Sequence, residues 1–235
     1  MIKIGITGGI GSGKSVVSSL LEIEDIPVYK ADDESKRLTD TSLDIRKEMQ
    51  AFIDDSIYIN DRLDRQRLAS LIFNDEALLK KVNGIIHPAV KKDFNEWVTK
   101  QVSEICALES AILFESGFEK EVDVVVLVYA PVELRLWRVI QRDGMSEAEV
   151  IKRMNSQLPD EQKREKADFV IINDDLHPLI PQIENFLSSP PLKGARGMSE
   201  VTLARICNPC EHINARIANP REHKKARITN PREQI

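Results

Sequence analysis

Cysteine is scarce in this 235-residue chain: Cys106, Cys207 and Cys210 are the only three. They are too few and too clustered for a disulfide framework, as suits a reducing, cytoplasmic setting. Long apolar runs are missing too. No stretch approaches the roughly 20 residues that a membrane-spanning helix needs, and the first motif comes too soon after Met1 to leave room for a signal peptide. Excess positive charge is the third absence, since 33 Lys and Arg stand against 38 Asp and Glu, a net charge of −5. Binding to nucleic-acid polymers leans on concentrated Lys and Arg. Neither nucleic acid nor membrane is therefore expected as a partner, whereas a small phosphorylated ligand fits if positive charge is focused locally. The rest is ordinary for a globular protein, with 42% hydrophobic and 30% charged residues, and long enough for one α/β domain with an insert or tail.

Against that background the run Gly8-Gly9-Ile10-Gly11-Ser12-Gly13-Lys14-Ser15 stands out. Two glycines bracket four residues and are followed by Lys and Ser, the pattern of a phosphate-cradling loop. The glycines let backbone N–H groups point inward at phosphate oxygens, Lys14 reaches the β- and γ-phosphates, and Ser15 offers a hydroxyl to Mg²⁺. The flanks agree. Ile2-Lys3-Ile4-Gly5-Ile6 reads as a strand, and Val16-Val17-Ser18-Ser19-Leu20-Leu21 as the start of a helix whose positive dipole end adds to the anion site. Gly11, Ser12, Gly13, Lys14, Ser15 and Val16 are the expected ATP contacts.

Composition changes near Ser188-Ser189-Pro190-Pro191. Beyond it, Ala204-Arg205-Ile206, Ala215-Arg216-Ile217 and Ala226-Arg227-Ile228 begin copies of an eleven-residue repeat, each with an Asn-Pro. Asn-Pro disfavours helix, and one Ile per copy is too little for a stacked core, so residues 189–235 read as a disordered low-complexity extension. The Cys207-x-x-Cys210 pair has no counterpart in the other copies and fits no zinc template. Residues 1–188 alternate strand and helix signals, as a parallel sheet requires. Ile26-Pro27-Val28-Tyr29 reads as a short β-type run ending near Asp32. Helices are expected over 64–73, 76–86 and 89–104, with Pro88 in the first turn of the last. Strands are expected over Leu108–Phe114, Val122–Tyr129 and Phe169–Ile172. Pro131 opens a helix, Ser146-x-x-Glu149 is a capping box that opens another, and residues 178–187 close the domain.

In parallel sheets ligands gather beyond the carboxyl ends of the strands. Two acids fall there. Asp32 is the candidate base for an attacking hydroxyl, although Asp33 and Glu34 beside it leave open which acid faces inward, and Glu115 is a candidate to support metal or substrate. Arg135, Arg138 and Arg142 share a helix face, and Arg153 lies on the next helix. With Lys163, Arg164 and Lys166 they suit a lid that closes over ATP and delivers arginines, Arg142 foremost because it precedes Asp143-Gly144.

These residues resemble dephospho-coenzyme A kinase over residues 1 to about 188. The resemblance rests on Thr7 to Ser15, Ala31-Asp32, Arg65 to Phe73, His87-Pro88, Leu113-Phe114-Glu115, Arg138-x-x-x-Arg142-Asp143-Gly144, Arg153, Gln157 and Ala167-Asp168. It implies a P-loop NTPase-type parallel sheet flanked by helices. A helical insert over about 33–105 would hold the acceptor, and a lid would span about 138–166. It implies transfer of phosphate from ATP, with Mg²⁺, to the ribose 3′-hydroxyl of dephospho-CoA by a cytoplasmic monomer or weak homo-oligomer. Lys14, Asp32 and Arg142 would be catalytic; Asp32, His87, Glu115, Arg138 and Arg153 would meet the acceptor. Two departures are visible: Lys30 stands where the family usually has Asp, and Ala111 where Pro is common. Competing readings are a nucleoside or nucleoside monophosphate kinase and a non-catalytic nucleotide switch. The latter is disfavoured because the chain lacks an Asn-Lys-x-Asp base-reading segment.

Overall fold

A computed structural model describes residues 1–73 and 75–189. The repeat extension and its Cys207–Cys210 pair lie outside the described residues, apart from Ser189. Along the chain the elements run β1 (Ile2–Thr7), α1 (Lys14–Ile23), β2 (Val28–Lys30), α2 (Ala31–Thr41), α3 (Leu43–Phe52), β3 (Tyr58–Ile59), β4 (Arg62–Leu63), α4 (Arg65–Ile72) and α5 (Glu76–Val98). They continue with β5 (Ile105–Glu109), β6 (Val124–Tyr129), α6 (Val132–Asp143), α7 (Glu147–Asn155), α8 (Asp160–Lys166), β7 (Phe169–Ile172) and α9 (Leu179–Ser188). Among these residues no helix is long and apolar enough to cross a membrane.

Five strands form a parallel sheet in the order β2-β5-β1-β6-β7. This is the P-loop NTPase-type architecture expected from the sequence. Strands β1 and β6 are both interior to the sheet, paired on each edge, in keeping with the fully buried Ile4 and Ile6 of β1 and the almost unbroken Val run of β6. Each such side chain contributes about 1.5–3 kcal/mol by leaving water. Helix α1 packs on α9, while α5 lays Val90 and Phe94 into a cluster with Tyr29, Leu108, Leu113 and Phe118. The segment between β2 and β5 has its own core of Ile45, Met49, Ile57, Leu63, Leu68 and Val82. Helix α5 thus carries residues of both cores. Arg65 fixes the start of α4 onto α2 by donating to the Lys36 carbonyl at 2.8 Å.

Two sequence expectations are corrected. The strand expected over Leu108–Phe114 is instead Ile105–Glu109, and residues 111–117 form a compact turn. Its last ladder bond is Ser110 N–H to Ile6 O at 3.0 Å; beyond it Phe118 N–H turns back to Leu113 O at 2.8 Å. The apolar run was burying Leu113 within a turn, a case periodicity does not separate from a strand. The two helices expected around Pro88 are one, with Pro88 inside α5. Its ring faces the carbonyl of the residue four positions earlier, and that residue is Gly84, whose position has open space around it.

Candidate active site

Strand β1 carries the chain to Gly8 at the carboxyl edge of the sheet, and α1 starts at Lys14. Gly13, at its N-cap, has φ +91°, and a Cβ there would fall 2.1 Å from Nδ2 of Asn173. Gly9 is needed for close approach, because its Cβ would lie 1.8 Å from a guanidinium nitrogen of Arg135. The amides of Gly11, Gly13, Lys14 and Ser15 find no acceptor among the described residues. They form a row of donors at a helix N-terminus, a ready anion site. Ser15 and Val16 are exposed on the first turn of α1.

Three braces set the shape of the loop. Asn173, just past β7, donates Nδ2 to Ser12 O at 2.8 Å. Gln157 accepts from the Ile10 amide at 2.9 Å. Arg135 is 5% exposed and pairs with Asp160 at 2.5 Å. None of these partnerships was assigned from sequence. Gln157 was visible only as part of the family resemblance, and Asn173 only as a residue following a strand.

Lys14 Nζ donates to Gly8 O at 3.0 Å. Burial pulls its pKa below the usual lysine value; Glu109 and then Asp32 push it back, while Lys163 and Arg135 add to the lowering. Both acids thus lie within electrostatic reach of this one ammonium. Asp32 lies in the first turn of α2. Desolvation raises its pKa above the usual carboxylate range, opposed by Lys14 and Lys36 and assisted by Asp33. Its neighbours are occupied elsewhere: Asp33 pairs with Lys36 at 2.8 Å, and Glu34 with Arg37. Glu109 was missed because the strand was expected to end near Glu115.

Glu115 sits in the turn after β5, where its carboxylate accepts from Leu158 N–H at 2.7 Å and lies 3.3 Å from the fully buried Lys163 ammonium. Lys163 also donates to Ala111 O at 3.0 Å. Glu115, Lys163, Asp160 and Gln157 therefore bind the segment between α7 and α8 down to the sheet edge. The arginines of the expected lid lie further out. Arg138 binds Asn173 O at 3.1 Å and Asp175 at 2.5 Å. Arg142, with its side chain 61% exposed, pairs with adjacent Asp143 at 2.7 Å. Arg153 is exposed on α7. His87 is half-buried on α5, and burial together with Lys91 lowers its pKa, so the ring is neutral near pH 7. Asp168, part of the resemblance, has a structural role: it accepts from Val125 N–H at 2.8 Å at the entry to β7.

Among the described residues no group of three or more His, Cys, Asp or Glu could hold a metal ion unaided. Oxygens in reach of the loop include the Ser15 hydroxyl at the start of α1 and the carboxylates of Asp32 and Glu109, whose charges act on Lys14. Such hard donors suit Mg²⁺, which keeps waters and takes ligands from nucleotide phosphates.

Comparison with known proteins agrees with this geometry. The family model described as dephospho-CoA kinase matches residues 2–178. The dephospho-CoA kinase of Bacteroides fragilis is 51% identical over 183 residues, covering 77% of this chain and 89% of that protein. That of Porphyromonas gingivalis is 46% identical over 190 residues, covering 80% and 94%. A crystal structure of a Thermus thermophilus protein superposes with a TM-score of 0.68 at 34% identity, covering 83% of this chain and 98% of that one. The chain therefore belongs to the dephospho-CoA kinase family.

Proposed function

We propose that this chain transfers the γ-phosphoryl group of ATP to the ribose 3′-hydroxyl of dephospho-CoA, giving coenzyme A and ADP, with Lys14, Asp32 and Arg142 as its catalytic residues. The observation that carries the assignment of roles is that Asp32, in the first turn of α2 at the carboxyl end of β2, lies within electrostatic reach of the ammonium on the phosphate loop. The amides of Gly11, Gly13, Lys14 and Ser15 hold the triphosphate, with Ser12 and Val16 completing the loop and first turn around it, and Lys14 offsets charge on the transferring group. Asp32 accepts the 3′-hydroxyl proton as the sugar oxygen bonds to γ-phosphorus. The bond from γ-phosphorus to the bridging oxygen then breaks and ADP departs. A raised pKa suits this task, because a base is most effective when its pKa approaches the working pH.

The hydroxyl of Ser15 is positioned in sequence to meet Mg²⁺, which when bound neutralises phosphate charge and orients the oxygens. Arg142, which among the described residues is held by Asp143 alone, turns toward the phosphates when the lid closes. His87, Glu115, Arg138 and Arg153 line the path of the acceptor, with Glu115 also anchoring the lid. The net charge of −5 supports a protein that works without nucleic acid. We place it in the cytoplasm as a monomer or weak homo-oligomer.

The test is ADP release with ATP and Mg²⁺ in the presence of dephospho-CoA, nucleosides or nucleoside monophosphates. Turnover is expected with dephospho-CoA; turnover with the other acceptors alone overturns the assignment. The family match ends at residue 178, and α9 closes the described fold by Ser188. A chain ending at Ser189 is accordingly expected to keep both its turnover and its melting temperature. A large loss of either, seen by ADP release or thermal melting, would show that residues 190–235 contribute.

A further inference from the structure

The chain around Asp32 has little to hold it locally. Strand β2, which delivers it, is only three residues long and lies at the edge of the sheet, paired with β5 alone. Helix α2 begins immediately after that strand, and its N-cap residue, Lys30, makes no side-chain capping bond. An Asp, Asn, Ser or Thr at that place would bind the free amides of the turn that carries Asp32. A lysine cannot, and here it reaches out to Glu22 at 3.0 Å instead. The aim of Asp32 is left to side chains on either side of it.

Two of them converge on one carboxylate. Tyr29, three residues before Asp32, donates its hydroxyl to Oδ2 of Asp93 at 2.7 Å. Arg37, five residues after it, donates from Nη2 to both oxygens of the same group, at 2.8 Å each. Glu34 braces the Arg37 guanidinium in turn by accepting from Nε. Asp93 stands on α5 beside the fully buried Phe94, and the Tyr29 ring, 2% exposed, meets Phe94 and Trp97 edge-on at 5.3 and 5.5 Å. Helix α5 thereby grips the strand–helix junction from both ends through a single side chain. Hydrogen bonds to an ionised group of this kind are about twice as strong as neutral ones.

We infer that Asp93 is a positioning residue for the reaction: by drawing Tyr29 and Arg37 together it fixes the junction between them and keeps Asp32 aimed at the phosphate loop. The inference rests on the reading of Asp32 as the base and deepens it. Asp93 is not among the charges that act on Asp32 or on Lys14, so its influence is carried by geometry. A group that must meet a transition state needs partners that are themselves locked by packing and hydrogen bonds, and Asp93 has both.

The alternative is that the cluster merely ties α2 to α5. A double-mutant cycle separates the two. With the full chain, ATP, Mg²⁺ and dephospho-CoA, Asp93→Asn is expected to lower kcat about 10–100-fold, the cost of a misplaced catalytic group. The KM for ATP should stay within about threefold. In an Asp32→Asn background the same change should lower kcat by less than about threefold, because the base that it aims is already gone. An unchanged kcat in Asp93→Asn, or equal falls in both backgrounds, overturns the inference. Should Asp93→Asn not fold, Tyr29→Phe removes one of the two donors without altering charge and should lower kcat about 3–10-fold; an unchanged kcat in that variant refutes the assignment.

The last test needs no turnover. The double variant Arg37→Gln with Asp93→Asn breaks the cluster and leaves the net charge as it was. In the ligand-free chain the Asp32 carboxyl, followed by carbon-13 NMR across pH, should then titrate nearer to an ordinary aspartate than in the parent, where desolvation raises its pKa. An unchanged midpoint overturns the inference. Failure to turn over dephospho-CoA would sink the substrate assignment, while this titration would still decide the role of Asp93.

Discussion

Asp32→Asn is expected to lower turnover by about 10²–10⁴-fold, the usual worth of general-base assistance, while ATP affinity stays the same or tightens slightly. Asn keeps the size and shape of the side chain but cannot take a proton from the 3′-hydroxyl. It also removes a negative charge near the phosphates, so nucleotide binding has no reason to weaken. An effect on kcat with ATP affinity preserved is the signature of an interaction made in the transition state. The pH profile supplies a second test. A base works only when ionised, so activity falls as pH drops through the pKa of Asp32. Partial desolvation by the surrounding protein raises that pKa, although the side chain still meets solvent, so the acid limb of kcat should be displaced upward from that of an ordinary aspartate, and in Asp32→Asn the residual rate should lose that limb. Steady-state kinetics across pH, together with calorimetry of ATP binding, check both points. A variant that loses ATP affinity as much as it loses turnover would make Asp32 a binding residue.

The other large effect is on stability. Arg135→Met is expected to cost about 3–5 kcal/mol, the penalty for removing one partner of a buried ion pair. The side chains of Arg135 and Asp160 are only 7% and 13% exposed, so solvent does little to relieve the carboxylate left behind. Domains of this kind have total stabilities of about 5–15 kcal/mol, so a urea titration of the variant should show a clearly lower midpoint. The double variant Arg135→Met with Asp160→Leu should recover most of the loss, because replacing both charges removes the stranded one. Arg135 also forms the wall against Gly9, so ATP should bind more weakly in both variants. A single variant as stable as the parent would mean that the pair does not anchor α8.

Much of the site could be read from the chain because it is local. Gly8 to Ser15 fixes a loop by backbone conformation and adjacent donors, and Ser146 with Glu149 forms the expected capping box. Strand β7 occupies the expected residues, Phe169–Ile172. Errors arose where an apolar run has two solutions. Leu108 to Phe114 is equally a strand or a strand followed by a turn, and choosing the first hid Glu109 behind Glu115. Pro88 suggested a helix start because Pro usually sits there, whereas α5 runs through it and forgoes the one backbone bond that Pro88 cannot donate. The braces of the phosphate loop were out of reach for a different reason. Gln157 meets Ile10 across 147 residues and Asn173 meets Ser12 across 161, and no local pattern encodes a contact made only when distant strands and helices are assembled.

Helix α5 has a mechanical consequence. Val82, before Pro88, belongs to the core of the insert; Val90 and Phe94, after it, belong to the core beside the sheet. The rung that Pro88 cannot supply falls between these two anchorages, where the rod is weakest in bending. Ile86, within that same turn, packs against both cores, as Leu38 of α2 does, and Ala89 beyond the proline reaches back to the insert's core, so shared apolar side chains splint the rod where its own backbone bond is missing.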